Sequence, residues 1–111
     1  MLLDCMTLDF EYIPTSVNPY VILMLNTNVT HNLSTSGYNT RREESSTGLA
    51  LIAKRFNKKN SFRDIDLSMV EACKEELGEI RYKRCRYVLE EMERVLEACE
   101  ALKAGNLVRL G

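Results

Sequence analysis

Ile80-Arg81-Tyr82-Lys83-Arg84-Cys85-Arg86-Tyr87-Val88-Leu89-Glu90-Glu91-Met92-Glu93-Arg94-Val95-Leu96-Glu97-Ala98-Cys99-Glu100-Ala101-Leu102-Lys103-Ala104 is the longest periodic stretch of the chain. Its apolar residues, Cys85, Val88, Leu89, Met92, Val95, Leu96, Cys99 and Leu102, recur every three or four positions. That spacing predicts an amphipathic helix over 80–104, closed by Gly105. A seven-residue seam runs through Cys85, Met92 and Cys99, but Cys and Met are weak coiled-coil knobs, so the stripe favours packing within a domain. Glu90, Glu91, Glu93, Glu97 and Glu100 read as a solvated face. The basic cluster Arg81, Lys83, Arg84 and Arg86 lies near the helix start, where cations oppose the macrodipole. It calls for an acidic segment packed beside it, with a phosphate ligand as the other candidate.

Working outward, Asn106 predicts the N-cap of a further helix, Leu107-Val108-Arg109-Leu110, of barely one turn. A helix begun and not continued, and a start inside an apolar run, both predict a piece of something larger. On the other side, Ser68-Met69-Val70-Glu71 reads as a capping box opening a short helix that ends at Gly78. Lys58, Lys59 and Asn60 form a polar loop before it. Leu49, Ile52, Ala53 and Phe56 lie at helical spacing, which predicts a helix from about Asn39 to Phe56, N-capped by Ser36 or a neighbour. The first third reads as strands. Leu8, Phe10 and Tyr12 alternate with acids until Pro14, and Tyr20-Val21-Ile22-Leu23-Met24-Leu25 suits a strand buried on both faces. The expected class is therefore α+β: strands at the N-terminal end, then three helices.

Across 111 residues, Lys and Arg number 15 against 16 acids, a formal net charge of −1. That balance argues against a partner nucleic acid or an anionic membrane, both of which need surplus positive charge. With 45% hydrophobic and 28% charged residues the composition is globular. No apolar run approaches the ~20 residues of a membrane span, and the first nine residues lack a basic leader, so the expected location is the cytoplasm. Cys5, Cys73, Cys85 and Cys99 form no C-x-x-C pair, and the single His31 is far from them, so they read as reduced thiols and not as a metal site.

Gly37, Gly48, Gly78, Gly105 and Gly111 are scattered, so the chain holds no phosphate-cradling loop. The chemically informative segment is 26–43. An apolar run empties into Asn26-Thr27-Asn28-Val29-Thr30-His31, and a helix opens after Gly37-Tyr38-Asn39-Thr40-Arg41-Arg42-Glu43. Ligands gather where strands end and helices begin, and a tyrosine there offers a hydroxyl and an apolar ring.

Several motifs in that order carry a family resemblance. Leu2-Leu3-Asp4-Cys5, Asn26-Thr27-Asn28-Val29-x-His31 and Tyr38-Asn39-x-Arg41-Arg42-Glu43 are followed by Ser61-Phe62-Arg63-Asp64-Ile65. Next come Lys83-Arg84-Cys85-Arg86-Tyr87-Val88-Leu89-x-Glu91 and Glu97-Ala98-x-x-Ala101-Leu102-Lys103-Ala104-Gly105-Asn106-Leu107. Together they resemble the galactokinases of the GHMP kinase superfamily, over the whole chain but well under half the family's length. The resemblance implies an internal fragment spanning the junction of two domains, with 1–36 ending the N-terminal domain and 37–111 opening the C-terminal, helical one. It implies a parent that moves the γ-phosphate of ATP, with Mg²⁺, to the 1-hydroxyl of α-D-galactose, and that is a cytoplasmic monomer. It places Tyr38 at the sugar-binding tyrosine, with Asn28, His31 and Arg41 as near-site candidates. The phosphate loop, catalytic aspartate and metal ligand of the family have no counterpart here, so the segment alone is expected to bind neither ATP nor Mg²⁺ and to be inactive. Thr30 stands where many members carry Lys or Arg. Gly37, Ser45-Ser46, Tyr87 and Met92 also depart from the common pattern. Two other readings are a non-catalytic sugar sensor or protein-interaction module, and a kinase for N-acetylgalactosamine, though Tyr38 favours galactose.

Overall fold

The computed structural model describes residues 1–29 and 37–111. They fall into two compact units, residues 28–92 and residues 1–27 with 93–111.

In the 28–92 unit, α1 spans Tyr38–Phe56, α2 spans Leu67–Ala72, and α3 starts at Lys74 and runs on to Lys103. The expected spacing in α1 holds: Leu49, Ile52 and Ala53 are buried and Phe56 is half-buried. Asn57 ends α1 in the left-handed region, where Lys58 N–H reaches the Ala53 carbonyl (2.8 Å) and Asn57 N–H that of Lys54 (3.4 Å). These bonds satisfy carbonyls that a bare helix end leaves orphaned. Gly37 occupies the N-cap and offers no side chain; Ser36, the expected cap, lies outside the described residues.

A 3₁₀ turn, Phe62–Asp64, follows, with Ser61 Oγ accepting from Arg63 N–H at 3.2 Å. The next helix start differs from the expected capping box. Asp66 is the N-cap: its Oδ1 accepts from Met69 N–H (3.0 Å) and from the Ser68 hydroxyl (2.5 Å). A carboxylate two residues upstream outcompetes the serine, which is left inside the first turn. The helical run then pauses at Cys73 and breaks at Gly78, whose φ of 67° and ψ of 169° are open only to glycine. Ile52, Val70, Cys73, Leu77 and Cys85 form the core of this unit, with Ile65 and Tyr82 at its margin. At Gly48, a Cβ would lie 2.5 Å from Cys85 Sγ, so the absence of a side chain sets how closely α1 approaches α3.

In the other unit, β1 (Leu2–Leu3) pairs antiparallel with β2 (Phe10–Glu11), Leu2 opposite Glu11 and Leu3 opposite Phe10. The strand expected through Leu8 is cut short. Asp4 Oδ1 accepts from Met6 and Thr7 N–H (2.8 and 3.1 Å), folding an Asx turn, and Leu8 takes a φ of 65°. Ile13 and Ala101 are the buried apolar residues of this unit. Lys103 Nζ bridges Glu11 (2.8 Å) and Glu100 (3.2 Å), and hydrogen bonding to Glu11 first, then Glu100, raises its pKa. α3 ends in a Schellman motif, Asn106 N–H to the Ala101 carbonyl (2.8 Å) and Gly105 N–H to Leu102 (3.1 Å). Asn106 then caps α4 (Leu107–Leu110) through Oδ1 and Arg109 N–H at 3.1 Å, as the sequence predicts.

The second expected strand is a correction. Tyr20–Leu25 forms no strand, and its side chains are 63–89% exposed. A strand buried on both faces needs neighbours on both edges, and among the described residues the sheet consists of β1 and β2 alone. The architecture is thus mostly helical, with two short antiparallel strands first, and it remains compatible with α+β.

Candidate functional site: a basic, aromatic cleft between α1 and α3

The start of α1 places Tyr38 on the first helical turn, 67% exposed. Residues four apart share a helix face, so Tyr38, Arg42 and Ser46 form one stripe, flanked by Arg41 and Ser45. On α3, Arg84, Tyr87 and Val88 make the facing stripe, and Phe62 of the 3₁₀ turn lines the same recess. The cleft between them has a volume of about 610 Å³. Arg41 lines it beside Tyr38, so the structure brings these two sequence candidates together. Asn28 is exposed with a φ of 54°, and His31 lies outside the described residues.

The charges around the cleft are unevenly matched. Arg84 Nε donates to Glu44 Oε2 at 2.7 Å, across the two helices. Arg86 holds Glu90 (2.6 Å) and Glu71 (3.5 Å), and hydrogen bonds to Glu90 and then Tyr82 raise its pKa further. Lys83 pairs with Glu79 at 2.6 Å and, by that hydrogen bond, lowers the glutamate's pKa. The acidic segment that the basic cluster of α3 calls for is therefore supplied within the chain, by α1, α2 and α3's own neighbouring turns. Among the described residues, no group of three His, Cys, Asp or Glu side chains is arranged to hold a metal.

Sequence reasoning singled out Tyr38 and Arg41 but missed Arg42, Phe62, Arg84 and Tyr87 as walls of one recess. The available signal was the four-residue repeat Tyr38, Arg42, Ser46. No pattern in the sequence pairs it with its partner stripe on α3, because that pairing is a tertiary contact. Chemically, the cleft offers hydroxyls, three aromatic rings and guanidinium groups.

Comparison with known proteins places these observations. Proteins named galactokinase match from end to end: that of Thermotoga neapolitana is 40% identical over 109 residues, covering 98% of this chain and 29% of the relative. The galactokinase of Thermosipho africanus is 39% identical over 112 residues, with the same coverage. That of Actinobacillus pleuropneumoniae is 39% identical over 115 residues, 100% of this chain and 28% of the relative. The chain thus spans under a third of the length of the curated relatives it matches. No family model and no solved structure matches it.

Proposed function

Because the chain is homologous to galactokinases over its whole length, we propose that it is the sugar-orienting segment of an ATP-dependent galactose kinase of the GHMP superfamily. The protein that carries it transfers the γ-phosphate of ATP to the 1-hydroxyl of α-D-galactose, as a cytoplasmic monomer. Residues 1–36 close its N-terminal domain and 37–111 open its C-terminal one. The observation that carries this reading is the end-to-end similarity at about 40% identity, joined to Tyr38 standing exposed at the mouth of a cleft.

In this reading ATP and Mg²⁺ are held by the remainder of the kinase, and the chain's own chemistry is orientation. In this reading Tyr38 exchanges a hydrogen bond with a galactose hydroxyl, its ring presenting an apolar edge to the sugar, and Arg41, Asn28 and His31 are near-site residues. Holding a reactant in register is a large part of phosphoryl transfer, which asks for little covalent chemistry from the protein.

The test is Tyr38→Phe in the full-length protein. A neutral hydrogen bond contributes about 1 kcal/mol net, so kcat/KM for galactose should fall roughly fivefold with the KM for ATP unchanged. An unchanged kcat/KM for galactose would show that the assignment of Tyr38 is wrong.

A further inference from the structure

The two halves of α1 are held unequally. Its buried residues, Gly48, Leu49, Ile52 and Ala53, all lie in its C-terminal half. From Tyr38 to Glu43 every residue is exposed, and Gly37 at the N-cap brings no side-chain hydrogen bond. Glu44 and Ser45 are the first residues of the helix to be half-buried, and both face α3. Glu44 Oε2 accepts from Arg84 Nε at 2.7 Å, and the Cys85 thiol donates to the Ser45 carbonyl at 3.7 Å. The charge-assisted bond is the stronger, since a thiol is a weak donor. On α3, Arg84 adjoins the fully buried Cys85, so the point to which Glu44 is tied is fixed in the core. Tyr38 stands ten residues before Gly48, about 15 Å along the axis at roughly 1.5 Å per residue. A tilt of roughly 4° about the Gly48 contact therefore moves Tyr38 by about 1 Å, and a hydrogen bond tolerates about half of that.

We propose that Glu44 and Arg84 are positioning residues: their ion pair fixes the tilt of the exposed half of α1 against α3 and so holds the Tyr38 hydroxyl in register with the sugar. Both act through Tyr38, without contact to the sugar, and the proposal rests on the galactose reading of that tyrosine. The pair suits the task because its side chains are 38% and 23% exposed, partly sheltered from the screening that weakens ion pairs in open water. A second pair, Arg55 with Glu76, ties the far end of α1 and has no leverage on Tyr38.

Steady-state kinetics of the full-length protein test it, with galactose and ATP varied separately. Arg84→Ala and Glu44→Ala, two independent ways to break the pair, should each lower kcat/KM for galactose roughly threefold with the KM for ATP unchanged. In a Tyr38→Phe background the same substitutions should cost nothing further, because the bond they position is already gone. Exchanging the charges, Glu44→Arg together with Arg84→Glu, should recover most of the loss, which a direct contact of Arg84 with substrate would not allow. Arg55→Ala breaks the pair with Glu76 and should leave the galactose parameters unchanged. Circular dichroism with thermal melts confirms that each variant is folded. A loss from Tyr38→Phe with none from either alanine variant would overturn the proposal and leave the galactose reading standing. Equal losses with and without the Tyr38 hydroxyl, or no recovery on charge exchange, would overturn it too. No effect from Tyr38→Phe itself would remove the galactose reading, and the proposal with it.

Discussion

Cys85 and Asp66 show how a single residue's surroundings set its chemistry. Burial, with Cys73 nearby as a secondary cause, pushes the Cys85 thiol up to about 11, so at neutral pH it stays protonated and acts as a small apolar residue. Cys73 is equally buried, whereas Cys5 is exposed. Thiol-alkylation mapping at pH 8 should therefore modify Cys5 first and reach Cys73 and Cys85 only on unfolding. Modification of Cys85 at the Cys5 rate would contradict the packing described for it. Asp66 is shifted the other way: the Ser68 hydroxyl and then the Met69 N–H hold its carboxyl below the ordinary aspartate range. A depressed folded-state pKa contributes stability that is present above the unfolded value and is lost as pH falls through the folded one. Asp66→Ala should thus lower the thermal midpoint near pH 7 and lose that difference as pH falls through the depressed pKa of Asp66, while Asp66→Asn, also a good N-cap, should recover much of it. Equal midpoints for Ala and Asp at pH 7 would remove Asp66 from its capping role.

Among the elements, the α1–α3 contact both closes the core and opens the cleft. Gly48 sits at that contact, where an added methyl would meet Cys85 Sγ at 2.5 Å. Gly48→Ala should destabilise the protein by about 1–3 kcal/mol by overpacking, and Cys85→Ala in the same chain should relieve part of that cost. Strictly additive effects in denaturant unfolding would show that the two residues do not share the contact. Helical periodicity made α1 and the long α3 legible, because Leu49, Ile52, Ala53 and Cys85 bury the face their spacing marks. The same stripe continues through Met92, Val95 and Leu96, which are 38–58% exposed, so periodicity reports an apolar face without reporting what covers it. Caps were legible where one side chain competes alone, as at Asn106, and were misread where two candidates stand close, as at Asp66 and Ser68. The cleft was half legible: Tyr38 and Arg41 share a local stretch, but Tyr87 and Arg84 join them only through tertiary packing.

At the scale of the whole molecule, the strand misjudged from sequence is the most informative segment. Tyr20–Leu25 has the composition of an interior strand, yet every side chain in it is at least 63% exposed and it pairs with nothing in β1 or β2. Uncharged runs of six apolar residues left open to water promote strand-to-strand association. The 111-residue chain on its own should accordingly self-associate with rising concentration in sedimentation velocity, and Ile22→Lys should reduce it. A parent chain that stays monomeric at high concentration would show that the run is shielded within the chain itself. Among the described residues no helix is long and apolar enough to cross a membrane. Galactose-dependent phosphoryl transfer from ATP by the protein that carries this chain, purified at its native length, tests the proposed function most directly. The predicted result is a phosphate ester at the 1-hydroxyl of galactose, formed only when galactose and ATP are both present. A folded protein that consumes ATP no faster with galactose than without it would contradict the proposed function.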